Sequence, residues 1–354
     1  MKSALRELPG CLTPKAPTTA KRPRPLSRVE YIDGILRGDR SVLARAVTLI
    51  ESAREADREL AEQIVEDCLP AAAGDSIRVG ITGVPGAGKS SLIETLGGFL
   101  IEAQKQKVAV LAIDPSSQIS GGSILGDKTR MPTLAASEMA FIRPSPSRGM
   151  AGGVAQRTRE AMLLCEAAGY RNILVETIGV GQSETAVHEM VDFFLLITLA
   201  GAGDELQGIK RGVMELADLV AVNKADGANV AAAEHARAEA QNALHFFPAS
   251  GSGWTPRAVT CSALTGAGIS ELWECVHEYS ALTRGNGWLA ASRCEQQRRW
   301  MHEMIDQSLQ QRFFAHPAVR SRIEALERDV AEGRTTSFRA ARTLLAAYSE
   351  PERP

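Results

Sequence analysis

Gly83-Val84-Pro85-Gly86-Ala87-Gly88-Lys89-Ser90 stands between a β-branched run, Ile77-Arg78-Val79-Gly80-Ile81-Thr82, and a segment in which Leu92, Ile93, Leu96, Phe99 and Leu100 recur at helical spacing. The run reads as a buried strand and the periodic segment as a helix with one apolar face. G-x-x-x-x-G-K-S between strand and helix is the spacing of a phosphate-binding loop. Its glycines let the backbone curl until successive N–H groups point at phosphate oxygens, and the helix start adds its positive dipole end. Lys89 is expected to reach the β- and γ-phosphates and the Ser90 hydroxyl to ligate a magnesium ion, with Ser91 in the same nucleotide-binding set. The bland alternative, a tight turn without a ligand, does not need all of these positions in that context.

Working outward, strand and helix patterns alternate as a doubly wound, mostly parallel sheet requires. Val108 to Ile113 reads as a strand ending on Asp114. A polar, glycine-rich loop follows, Pro115 through Met131, containing Gly121-Gly122-Ser123 and Gly126-Asp127-Lys128-Thr129-Arg130; in a nucleotide enzyme such a loop is the natural switch element. Phe141-Ile142-Arg143 reads as a short strand and Gln156 to Ala168 as a helix. Ile173-Leu174-Val175 delivers Glu176-Thr177-Ile178-Gly179, where the carboxylate suits magnesium and the glycine N–H suits sensing of the γ-phosphate. Phe193 to Ala200 is an apolar strand leading into a mixed-charge run, Gly201 to Gly212, read as mobile and surface-facing.

Leu219 to Val222 leads into Asn223-Lys224-Ala225-Asp226, and here the chemistry separates guanine from adenine. Guanine presents N1–H and a 2-amino group side by side, and one carboxylate, Asp226, can accept both. Adenine would leave that carboxylate unpaired, a rejection that can reach roughly 10⁴-fold. Lys224 is expected to lay its stem over the base and Asn223 to brace neighbouring loops. Ala258 to Ala263 is a last strand whose end, Cys261-Ser262-Ala263, offers backbone N–H groups to the guanine O6. A helix from Ile269 to Tyr279 closes the domain. The expected nucleotide is GTP, not ATP.

Composition sets the frame. The 354 residues suit one large α/β domain with helical additions, and 44% apolar with 23% charged residues is ordinary for a soluble globular chain. With 40 basic against 42 acidic side chains there is no global field for nucleic acid or a membrane. Six cysteines, at 11, 68, 165, 261, 275 and 294, form no C-x-x-C pair and read as reduced thiols of a cytoplasmic protein. Residues 1–27 form a basic, proline-interrupted arm, favouring a bacterial tail over a mitochondrial transit peptide. Residues 28–75 read as a helical extension with a linker from Pro70 to Asp75, residues 76–284 as the nucleotide domain, and residues 285–354 as helices. In the last region Arg293 to Phe314 carries Trp300, Met301, Met304, Ile305 and Leu309 on one apolar stripe that needs a partner, a second copy of the chain being the first expectation and packing back onto its own domain the alternative, and two further helices are expected at about 318–331 and 336–348.

From about residue 30 to 348 the chain resembles the MeaB / methylmalonic aciduria type A family, a SIMIBI-type branch of the P-loop GTPases. The stretches that carry the resemblance are Ala112 to Ser117, Gly121 to Met131, Arg143 to Pro146, Glu176 to Glu184 and Gly203 to Gly212. The resemblance implies a GTP-hydrolysing chaperone that associates with an adenosylcobalamin-dependent acyl-CoA mutase, gates cofactor loading from an adenosyltransferase, and protects or reactivates the mutase. It also implies that Ser90, Asp114, Asp127 and Glu176 serve magnesium and the switch regions. Asp204, Glu205, Gln207, Lys210 and Arg211 would belong to a third switch that reports the nucleotide state, and the C-terminal helices would form a homodimer.

No D-x-H-x-x-G cobalamin sequence occurs, so any cobalamin is expected on the partner. Val180 follows Gly179 where small signalling GTPases place a water-orienting glutamine, and Gln182 is no obvious replacement. Hydrolysis is therefore expected to be slow alone and accelerated by a partner. Two other readings remain open: a metal-insertion maturation GTPase, which would want a His- or Cys-rich tract, and a GTP-dependent scaffold without a mutase client.

Overall fold

The computed structural model describes residues 24–349 apart from 53, 73, 115–129, 147–150, 178–182, 202–210 and 249. Seven parallel strands form one sheet in the order β3-β2-β4-β1-β5-β6-β7. They are β1 (Ile77–Gly83), β2 (Val108–Asp114), β3 (Ala140–Pro146), β4 (Asn172–Glu176), β5 (Phe193–Leu199), β6 (Leu219–Asn223) and β7 (Arg257–Thr260). β1 lies at the centre, paired with β4 on one side and β5 on the other. Side chains alternate between two cores, which is why these strands read as unbroken apolar runs. In β2, Val108 and Val110 face one layer while Ala109, Leu111 and Ile113 face the other.

One face is covered by α4 (Lys89–Glu102), α5 (Pro132–Ala136) and α10 (Ile269–Gly285). The other carries α6 (Ala151–Ala167), α7 (Ser183–His188) and three amino-terminal helices, α1 (Arg28–Leu36), α2 (Arg40–Ile50) and α3 (Glu55–Ala72). α8 (Arg211–Glu215) precedes β6, and a short 3-10 turn at Gly227–Asn229 leads into α9 (Val230–Leu244). The first helix starts at a capping box: Ser27 Oγ accepts from Glu30 N–H while Glu30 accepts from Ser27 N–H. Asp39 caps α2 through Ser41 and Val42.

Several sequence boundaries shift. Pro70 lies inside the last turn of α3 rather than opening a linker; so near the end it removes a single ladder bond, and the buried Cys68 and Ala72 hold the turn down. β3 is longer than its three-residue apolar signature because it runs the full length of β2 in register. α6 starts at Ala151, ahead of Gln156, and α10 continues to Gly285.

α11 (Trp288–Ala315) begins before Arg293 and is followed by α12 (Pro317–Ala331) and α13 (Ser337–Ser349). Its apolar residues do not share one stripe: Trp300 is buried against the sheet's own helical layer, whereas Met301, Met304, Ile305 and Leu309 remain exposed. The root of α11 is fastened by a buried ion network. Arg293 holds Asp192 at 2.6 Å, and Arg78 holds Glu166 at 2.8 Å. Ser76 donates to Glu166 at 2.5 Å, closing the cluster beneath the sheet.

Candidate nucleotide site

The phosphate loop leaves β1 at the carboxyl edge of the sheet, the end where ligands of open α/β folds bind. Gly83 has φ +150°, and a Cβ there would lie 2.2 Å from the Ile197 carbonyl oxygen of β5. Gly88, at φ +87°, caps α4 and passes so close to Asn223 that a Cβ would meet its Nδ2 at 2.7 Å. Only glycine allows both approaches. The amides of Gly86, Gly88, Ser90 and Ser91 have no acceptor among the described residues, so the loop and first turn of α4 form a cradle of N–H groups for an anion. Val84 and Pro85 shape the loop, and Ala87, wholly buried, turns its carbonyl to Asn223.

Lys89 is nearly buried, its ammonium donating to the carbonyls of Gly83 (2.7 Å) and Val84 (3.2 Å). Burial pushes its pKa down, while Glu176 and Glu184 draw it back up. Glu184 is a buried carboxylate in the first turn of α7 and completes the electrostatics around Lys89. The residue reading gave it no role, because E-x-x-G spacing directs attention to Glu176 alone.

Ser90 Oγ donates to Glu176 Oε1 at 2.8 Å, so the hydroxyl of the phosphate loop and the carboxylate ending β4 share one position. Two hard oxygen donors beside a phosphate cradle fit a magnesium ion, which Ser90 and Glu176 would hold and which would supply charge neutralisation. Thr177, immediately after Glu176, is tied to β1 by its N–H to the Ile81 carbonyl and its hydroxyl to Thr82. Asp114 ends β2 at the same edge, but its side chain, like Asp127 and Gly179, lies outside the described residues. So do Val180, Gln182, Asp204, Glu205, Gln207, Lys210 and the side chain of Arg211.

The base end is built from β6, β7 and the loops they release. Asn223 donates to the Ala87 carbonyl at 2.7 Å and accepts from Ala263 N–H at 3.1 Å, joining phosphate loop and base loop with one side chain. Lys224 adopts φ +59°, held by Asn229 on its carbonyl. Asp226 accepts from the Ser262 hydroxyl at 2.5 Å, leaving its other oxygen open.

The N–H groups of Cys261, Ser262 and Ala263 are already engaged by Val222 O, Ala267 O and Asn223 Oδ1. In this loop the N–H of Leu264 has no partner among the described residues. The turn that recruits Ser262 through Ala267 has no signature in the strand pattern.

Comparison with known proteins follows the same lines. A family profile described as methylmalonyl Co-A mutase-associated GTPase MeaB matches residues 43–318. GTPase ArgK of Escherichia coli is 47% identical over 81% of this chain and 86% of its own. The mouse protein named methylmalonic aciduria type A homolog, mitochondrial, is 44% identical over 89% of this chain and 78% of its own. Among solved structures, one titled LAO/AO transport system kinase superposes with a TM-score of 0.72 at 37% identity, covering 90% of this chain and 96% of that one.

Proposed function

The chain belongs to the MeaB family of methylmalonyl Co-A mutase-associated GTPases, and we propose that it uses GTP hydrolysis to serve as chaperone to an adenosylcobalamin-dependent acyl-CoA mutase. The observation that carries this reading is the span of the family match, residues 43–318, which takes in the magnesium pair, the base strand and the root of the helical arm together. The client would be methylmalonyl-CoA mutase or a related isobutyryl- or 2-hydroxyisobutyryl-CoA mutase, with cobalamin held by the partner and delivered from an adenosyltransferase.

In this reading Lys89 stabilises charge on the β- and γ-phosphates. Ser90 and Glu176 hold magnesium, with Asp114 and Asp127 completing its surroundings. Gly179 senses the γ-phosphate, and residues from Asp204 to Arg211 carry the nucleotide state to the client. The exposed face of α11, with Met301 at 52% and Leu309 at 54% exposure, suits a second copy of the chain. The metal-insertion alternative is less favoured: no group of three or more His, Cys, Asp or Glu poised for a metal occurs among the described residues.

Single-turnover GTP cleavage with and without methylmalonyl-CoA mutase tests the proposal. We expect slow cleavage alone and acceleration of at least about ten-fold, a gain that reaches roughly 10³–10⁵-fold where partners complete the site in related hydrolases. An unchanged rate with this and the related mutases would leave a scaffold as the better description.

A further inference from the structure

A half-open cavity of about 490 Å³ lies where β5 and β6 begin, between those strands, α7, α10 and the first turns of α11. The register that places Ile197 beside Gly83 puts Phe193 beside Val79, so about 13 Å of strand separates the phosphate loop from the cavity's edge. Its volume is that of a small-molecule site. Tyr279 and Trp288 wall it together with the start of β5.

Four carboxylates and one guanidinium line the space. Asp192 is taken by Arg293 at 2.6 Å, and Glu189 by Arg299 at 3.1 Å. Glu295 reaches only Arg298, at 3.4 Å between exposed side chains. Asp218 uses Oδ2 to accept from Phe194 N–H at 2.8 Å, and its second oxygen has no partner among the described residues. Burial, and then the charge of Arg299, lower the pKa of His188 at the cavity's rim.

Gln296 is an independent sign. It is only 6% exposed, it lines the cavity, and it donates Nε2 to the Val191 carbonyl at 2.8 Å. Its own carbonyl oxygen, Oε1, is buried without a partner. A buried acceptor left unsatisfied destabilises the fold, and a ligand's donor would relieve that cost. Two acceptors of this cavity, the second oxygen of Asp218 and Gln296 Oε1, thus lack a partner among the described residues, and Tyr279 and Trp288 stand in its wall. That combination repels anions and suits a donor-bearing cation with an apolar body.

The geometry points to this cavity as a binding site for a small primary organic ammonium ion, its head shared between Asp218 and Gln296 and its body between Tyr279 and Trp288. Titration calorimetry on the full, GDP-loaded chain at about pH 8, where the carboxylates are ionised, tests it with benzylammonium as the probe and benzyl alcohol as its uncharged twin. Expected are one benzylammonium per chain, benzyl alcohol at least ten-fold weaker, a ten-fold or larger loss in Asp218→Asn, and a gain in Gln296→Glu. GDP affinity should match the parent in both variants, showing that each is folded. Absence of saturable binding, equal binding of the alcohol, or an Asp218→Asn protein that binds benzylammonium as the parent does overturns the assignment. Should Asp218→Asn not fold, the alcohol comparison and Gln296→Glu decide alone: equal binding of the two probes or no gain in Gln296→Glu overturns it.

Discussion

Asn223 shows how much a single side chain does in this site: its amide donates to the phosphate loop and its carbonyl accepts from the base loop, so the two ends of the nucleotide pocket are set by one residue. The N-K-x-D sequence made it legible as a brace, but not which backbone groups it would take out of circulation. Asp218 was not legible at all. It precedes β6 in an ordinary turn, and burial lifts its carboxyl to about 7 against the lowering effect of the Phe194 N–H. The native state then keeps a proton that the unfolded chain releases above about pH 4. Stability accordingly falls as pH rises from about 4 to about 7. Asp218→Asn removes that dependence: in urea unfolding it should match the parent near pH 4 and exceed it by about 1–3 kcal/mol at pH 8. A parent whose advantage over the variant is the same at both pH values would contradict this.

At the scale of elements, the strands were the most legible part. The central ones, β1, β4, β5 and β6, carry the apolar run of a doubly covered parallel strand, and three of them end on chemistry: Gly83, Glu176 and Asn223. Helix ends were less legible where tertiary contacts override local signals, as with Pro70 inside α3. The stripe on α11 misled for a related reason: Trp300 and Met301 are neighbours about 100° apart on the helix, so packing Trp300 on its own domain turns Met301 outward. What holds the root of α11 could not be read from sequence, since Arg293, Asp192, Glu166 and Arg78 are far apart along the chain. Arg293→Ala leaves Asp192 buried without its cation, and breaking such a pair costs about 3–5 kcal/mol. The urea midpoint of the variant should fall accordingly; a loss below about 1 kcal/mol would mean that the network does not fasten the helix.

Over the whole molecule, two functions are separated across one sheet: nucleotide chemistry at the carboxyl edge and anchorage of the helical arm at the amino edge. No described helix is long and apolar enough to cross a membrane, and the apolar residues of α11 that stand exposed suit a protein surface. If that surface is a second copy, light scattering should give twice the chain mass for the parent and the chain mass for Met304→Lys with Leu309→Lys; a parent of single-chain mass would remove the dimer. The guanine pocket is the central claim, and its most direct measurement is competitive binding of GTP, ATP and XTP to the magnesium-loaded parent and to Asp226→Asn. The parent should prefer GTP over ATP by roughly 10³–10⁴-fold, and the variant should shift toward XTP. Equal affinity of the parent for GTP and ATP would contradict the account.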